Sequence, residues 1–217
     1  MNNIKNIYHF HVQKTGGSSI NKAFEKISKE LGKKYVRWSS PSILSKNNVF
    51  YAHQHISVRS TPSHTLAITV LREPVSRLFS RYRHILWLAK GWKNGSKIHK
   101  NLSSLYGKAL KRDFEWFLKV TPEGEVQHTL SVFGKNFEKA LKNIENHIDF
   151  ILFQDTLQHD FNILCKKINI NPFELPKEKY FREEILWEPT ERDFELAKSR
   201  TQEEQKVWSE VQKWRKK

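Results

Sequence analysis

Two short stretches of this 217-residue chain gather residue types that hold anions. The first is Gln13-Lys14-Thr15-Gly16-Gly17-Ser18-Ser19. Its two glycines permit close backbone approach to an anion, and a helix starting just after them would offer unpaired N–H groups and a positive dipole end. Lys14 adds a point charge, and Thr15, Ser18 and Ser19 add hydroxyls. The same residues also suit a plain strand-to-helix turn with Ser18 or Ser19 as N-cap. The order is not that of an NTPase phosphate loop, where the lysine follows the glycines; here it precedes them. The second stretch is Leu71-Arg72-Glu73-Pro74-Val75-Ser76-Arg77-Leu78-Phe79-Ser80-Arg81-Tyr82. Arg72 and Ser80 in it could grip a second phosphate, while three- and four-residue spacing predicts one polar helix face for Arg77, Ser80, Arg81 and His84. A cap and a solvated face would explain the same residues. The third group is Ala52-His53-Gln54-His55, where strand alternation puts both histidines on one face. Adding His9 and His11 would give a zinc set, but without the cysteines or paired acids that such sets favour.

The elements that must position these groups follow from periodicity. Ile4–Val12, Tyr35–Trp38, Asn48–Ile56, Thr65–Leu71 and Ile148–Phe153 read as strands, and the fully apolar Thr65–Leu71 suits one covered on both faces. Ile20, Ala23, Phe24, Ile27 and Leu31 recur at helical spacing after the glycines. Pro74 opens a helix whose apolar stripe is Val75, Leu78, Phe79, Tyr82, Leu86 and Ala89. Further helices are predicted over Leu105–Val120, Phe137–Ile144, Asp155–Ile168 and from Glu191, the last with Val207, Val211 and Trp214 as its apolar edge. Gly91–Ser104 reads as a polar loop. Strands alternating with helices predict an α/β fold, a central parallel β-sheet flanked by helices, with a helix-rich C-terminal half. Lys14 and Arg72 then emerge at the carboxyl edge of the sheet, where open α/β sheets bind ligands.

Together the two anion-binding stretches resemble the sulfotransferases that use 3′-phosphoadenosine 5′-phosphosulfate (PAPS). His11–Ser19 is similar to that family's 5′-phosphosulfate loop, H-x-P-K-T-G-G-T-S, and Leu71–Tyr82 to its 3′-phosphate motif, L-R-D-P-x-x-R-x-x-S-x-Y. The substitutions are Gln13 for Pro, Ser18 for Thr and Glu73 for Asp. The wording is most like the heparan sulfate 2-O- and 6-O-sulfotransferases, and the Arg83-His84 continuation is closest to the 6-O type. Val126–Leu130 and Phe150–Asp155 resemble later family segments more loosely. The resemblance covers about residues 4–168. It implies a P-loop-like sulfotransferase fold, a single domain over 1–217 with a helical extension at 189–217, and no metal. Lys14 would stabilise the leaving phosphate and, with Thr15, Gly16, Gly17, Ser18 and Ser19, bind the 5′ end. Arg72 and Ser80 would bind the 3′-phosphate. The His53/His55 segment looks like the family's base-bearing one, His53 being preferred and His55 the alternate. The acceptor implied is a glycan hydroxyl or amine, and the other product is 3′,5′-bisphosphoadenosine.

Composition bounds these expectations. The net charge of +15 divides into 21 basic and 3 acidic residues over 1–112 and 17 basic and 20 acidic over 113–217. The basic front half suits a polyanionic partner, and a lysine-rich solvated surface would explain the same charge. Lys93, Lys97, His99 and Lys100 could contact an acceptor already carrying acid groups. Fourteen Phe and seven Trp argue against disorder, and the single Cys165 excludes an internal disulfide framework. No run reaches the ~18 apolar residues of a membrane span, and no signal-peptide core is evident. A cytoplasmic enzyme of bacterial or viral type is therefore expected, rather than a trimmed Golgi luminal domain, with no nucleic-acid partner. Two other readings compete. A metal-dependent small-molecule kinase needs an acid near the loop, for which Glu73 is the front-half candidate. A basic nucleic-acid-binding module would use Trp87 and Trp92 with the charge.

Overall fold

The structure, a computed structural model, describes residues 4–46, 48–93, 112–176 and 185–215. Five parallel strands form one sheet: β1 Asn6–Phe10, β2 Lys34–Arg37, β3 Val49–Gln54, β4 Thr65–Leu71 and β5 Phe150–Phe153, in the order β2-β3-β1-β4-β5. All five expected strands are present: β1, β3 and β5 are shorter than expected, β2 lies one residue earlier, and β4 has the expected bounds. The helices are α1 Gly17–Glu30, α2 Pro74–Lys93, α3 Phe114–Val120, α4 Glu123–Val126, α5 His128–Phe133, α6 Phe137–His147, α7 Leu157–Lys167, α8 Glu191–Arg200 and α9 Gln202–Trp214. This is the expected α/β architecture, a central parallel sheet flanked by helices. Among the described residues, no helix is long and apolar enough to cross a membrane.

Alternation along the strands divides the core. Ile7, Tyr51, Ile68, Val70 and Leu152 pack against Ile20, Phe24 and Ile27 of α1 and Phe161 and Leu164 of α7. Tyr8, Phe10, Ala52, Ala67 and Leu71 face the other way, towards Leu130, Ile144, Val207 and Val211. β4 contributes to both sides, which is why its sequence is apolar throughout. A third cluster joins the α2 stripe to Phe114 and Phe117 of α3 and Ala197 of α8.

Helix ends differ from expectation where a cap intervenes. α3 begins at Phe114 because Asp113 accepts a hydrogen bond from the Trp116 N–H, so a helix from 105 does not continue through it. Residues 105–111 lie outside the described ones. α2 continues through Lys93, past the predicted loop start at Gly91, and the rest of that loop lies outside the described residues. The predicted C-terminal helix is two helices. α8 opens with a Thr190–Asp193 capping box, and the chain breaks at Thr201, whose hydroxyl donates to the Ala197 carbonyl.

The sheet order reverses about β1. From β1 the chain leaves through α1 towards β2 and β3, then crosses to β4 and β5 on the other side. The carboxyl ends of β1 and β4 are therefore neighbours at a topological switch point, the place where α/β sheets open a crevice for ligands.

Candidate functional site

The loop after β1 leads directly into the first turn of α1. Lys14 and Gly16 take left-handed conformations, with φ of 64° and 94°, which turn the chain sharply into α1. Thr15 is buried and its hydroxyl donates to the Val12 carbonyl at 2.8 Å, so it shapes the loop from within. α1 starts at Gly17, with Gly16 as N-cap and no side-chain cap. Ser18 and Ser19 therefore lie in the first turn rather than at the N-cap. That turn carries no acid, and Ser18 is exposed. The uncapped N–H groups and the helix dipole suit a phosphate. Gly17 has a further role. A Cβ there would sit 2.4 Å from His11 Nε2 and 2.9 Å from His9 Cε1, so only glycine lets the helix start so close to the histidine face.

The second stretch folds against the first. Arg72 leaves the end of β4 and its Nη1 donates to the Lys14 carbonyl at 3.3 Å. Glu73 then caps α2: its carboxylate accepts from the N–H groups of Val75 and Ser76 at 2.9 and 2.7 Å. Ser80 lies half-buried on α2. One turn further, His84 accepts a hydrogen bond from Lys14, Nζ to Nδ1 at 3.1 Å. Burial, then the Lys14 and Arg81 charges, lowers the His84 pKa to about 3, so the ring is a neutral acceptor. The predicted polar face of α2 needs correcting. Arg77 is fully buried, donating to Glu204 at 2.9 Å and to the carbonyls of Glu125 and Val126. Its partners come from segments far along the chain, which no helical period could reveal.

The histidines line the face of the sheet that α1 covers. His9 Nδ1 lies 3.0 Å from Asn21 Oδ1 and 2.8 Å from the Tyr51 hydroxyl. The His11 ring lies between those of His9 and His55, at centroid distances of 4.8 and 4.3 Å. His53 is only 3% exposed, with Nε2 3.0 Å from the Tyr35 hydroxyl and Nδ1 3.5 Å from the Asn21 amide. His55 is half-buried, and its Nδ1 lies 2.6 Å from the His11 carbonyl. A carbonyl only accepts, so that nitrogen is the protonated one and Nε2 keeps its lone pair. Burial holds His9 at about 3, His53 at about 4 and His11 and His55 below the ordinary value, with neighbouring histidines and arginines adding to the shift. No three His, Cys, Asp or Glu groups among the described residues converge as a metal set.

Two more groups join the site. His128 accepts from the Gln13 N–H at 3.4 Å, and its ring meets that of His55 edge to face at 5.6 Å. The exposed Trp38 ring lies 5.6 Å from His53 and 5.1 Å from His55. The sequence placed His128 only within a loosely matching segment and His84 only on a helix face. For His84 the sole signal was the Arg83-His84 wording, and both contacts span long separations in the chain.

The sequence from residue 1 to 215 matches the family model described as the sulfotransferase family. No curated protein shows detectable similarity to it. The match takes in the sheet, the loop after β1, the β4–α2 turn and the histidine face alike, so this chain belongs to the sulfotransferase family, enzymes that transfer a sulfuryl group.

Proposed function

We propose that this sulfotransferase moves the sulfuryl group of PAPS to a hydroxyl or amine of a glycan, with 3′,5′-bisphosphoadenosine as the other product. The observation that carries the reading is the junction of the two anion-binding stretches. Arg72 and Lys14, 58 residues apart, are joined by one hydrogen bond across the crevice between β1 and β4. A donor with phosphates at both ends would occupy the two sides of that junction. The first turn of α1 with Lys14 would take the 5′ end, and Arg72 with Ser80 the 3′-phosphate. No metal takes part in this reading.

During transfer the bond from sulfur to the 5′-phosphate oxygen breaks and a bond from sulfur to the acceptor oxygen or nitrogen forms. Lys14 stabilises the charge that grows on the departing phosphate oxygen. The acceptor proton goes to a histidine. Of the two candidates, His55 fits better. Its Nδ1–H is held by the His11 carbonyl and its Nε2 is left to accept, whereas both ring nitrogens of His53 lie beside polar partners, Tyr35 and Asn21.

The kinase alternative is weakened by Glu73, whose two carboxylate oxygens are occupied in capping α2. Thermal unfolding tests the assignment. Bisphosphoadenosine at about a hundred times its Kd, with EDTA present, should add about 2.7 kcal/mol of stability. That corresponds to a rise in Tm of roughly 5–10 °C for a chain of this size. Stabilisation by ATP with Mg²⁺ and none by bisphosphoadenosine would overturn the reading.

A further inference from the structure

We propose that Asn21 is a positioning residue for the transfer reaction: its buried amide fixes where the protons sit on His9 and His53, and so keeps His53 from competing with His55 for the acceptor proton. The inference rests on the sulfuryl-transfer reading and deepens it at the base. Asn21 lies on α1, one turn after Gly17, and is buried. Asparagine is a poor residue for a helix interior, because its side chain competes for backbone hydrogen bonds. Here the side chain is turned onto the sheet instead, where it meets His9 of β1 and both Tyr51 and His53 of β3.

Donor and acceptor identity orients the whole set. The Tyr51 hydroxyl donates to Asn21 Oδ1 at 2.6 Å. His9 Nδ1 lies 3.0 Å from that same Oδ1 and 2.8 Å from the Tyr51 oxygen. With the Tyr51 proton already given away, both oxygens can only accept, so His9 Nδ1 carries the ring proton and Nε2 is bare. Two donors on its oxygen leave the Asn21 amide with its NH₂ towards His53, Nδ2 lying 3.5 Å from Nδ1. An NH₂ group only donates, so His53 Nδ1 is bare. The His53 proton therefore sits on Nε2 and goes to the Tyr35 hydroxyl oxygen at 3.0 Å. His53 has its lone pair engaged, whereas His55 has its proton engaged by the His11 carbonyl.

The surroundings also hold His53 neutral. The rings of His9, His11 and Tyr51 face it at centroid distances between 5.8 and 6.4 Å. Arg37 of β2 adds a positive charge, and the Glu25 carboxylate of α1 is taken up by Arg37 at 2.9 Å. Burial, then the His55 and Arg37 charges, lowers the His53 pKa to about 4. An imidazolium at His53 would oppose the positive charge that His55 acquires with the acceptor proton. Asn21→Asp would create that conflict. Its carboxylate would still accept from His9 and Tyr51 but would have no proton to give His53, whose Nδ1 would take one up.

Nitrogen NMR of the chain labelled with ¹⁵N-histidine tests this, with signals assigned by His9→Gln and His53→Gln. At neutral pH the unmutated protein should show His9 protonated on Nδ1 and His53 on Nε2. The opposite placement on either ring would overturn the proposal, and this measurement needs no Asn21 variant to fold. In Asn21→Asp, His53 should carry a proton on Nδ1 and titrate at a higher pH. Turnover of PAPS, with heparosan as the acceptor probe, should fall several-fold near pH 6.5 and recover towards pH 8.5. Adding His53→Gln to Asn21→Asp should restore most of it at pH 6.5, and bisphosphoadenosine affinity should be the same in all variants. An unchanged His53 tautomer in Asn21→Asp, or a loss of turnover that neither higher pH nor His53→Gln relieves, would reveal a packing role alone and overturn the proposal. Absence of turnover in the unmutated protein would instead count against the transfer reading, while the spectra decide the proton positions independently.

Discussion

Lys14 is a charge in a controlled position. Its left-handed backbone sets the direction of the side chain, Arg72 holds its carbonyl and His84 takes its ammonium proton donor. A group placed for a developing negative charge is worth most when it needs no reorganisation at the moment of reaction. Lys14→Ala should therefore lower kcat by about 10²–10³-fold, with a smaller loss of bisphosphoadenosine affinity. Equal losses in both would show that Lys14 binds the donor without assisting transfer. The two histidine candidates should part in the same assay. His55→Ala should cost about 10²–10⁴-fold in kcat. His53→Gln keeps a polar group between Tyr35 and Asn21 and should cost far less. Because burial lowers the His55 pKa, its base form persists as the pH falls below 6.5, and kcat/KM should begin to drop only at more acid pH. These residues were legible in unequal measure. Lys14, the glycines and Arg72 stand in contiguous stretches whose chemistry is local. His84 was visible as a histidine but not as the partner of Lys14, since 70 residues separate them and only the neighbouring of β1 and β4 brings them together.

At the scale of elements, α2 does more than carry Ser80. Arg77 reaches from its buried side to Glu204 at the start of α9 and to the carbonyls of Glu125 and Val126. The other oxygen of Glu204 accepts from the Thr129 N–H, next to His128, which in turn receives the Gln13 N–H of the anion loop. One buried ion pair thus ties α2, the C-terminal helix and the His128 turn together. Removing one partner leaves a buried charge unanswered, so Arg77→Met or Glu204→Gln should each cost about 3–5 kcal/mol in urea unfolding. Replacing both by apolar residues of similar volume should cost less than either alone. If the double variant loses the sum of the two, the pair is not the coupled unit described here. Sequence reading found the strands because their apolar runs and alternation are local properties. It missed the break at Thr201 and the inward turn of Arg77 because both answer to partners elsewhere: Ala197 within the helix pair, and Glu204 at a distance of 127 residues.

Over the whole molecule, the basic front half and the acid-rich back half are complementary parts of one fold. Arg77 and Arg81 are met by Glu204 and Glu125 across that division, while the acid-poor first turn of α1 stays open at the switch point. The same compactness brings an unusual load of neutral imidazole indoors. His9, His11, His53, His55, His84 and His128 all have pKa values lowered chiefly by burial, to about 3 or 4 where a value is defined. In the unfolded chain each takes up a proton near 6.5, so between that pH and about 4 the unfolded state binds more protons than the native one. Stability must then be fully present above pH 6.5 and fall as the pH drops towards 4. Each proton taken up on unfolding contributes a slope of about 1.4 kcal/mol per pH unit. The net charge of +15 acts in the same direction, since proton uptake adds to the self-repulsion of an already basic chain. Salt separates the two causes. Surface repulsion is screened at about 0.5 M salt, whereas the proton deficit of buried rings is not. Urea unfolding near pH 7.5 and pH 5 should show a loss of stability that persists at high salt. Replacing His84 by Gln should make that loss shallower by about one proton's worth. Equal stability at the two pH values in high salt would mean that these rings are not held neutral by the fold.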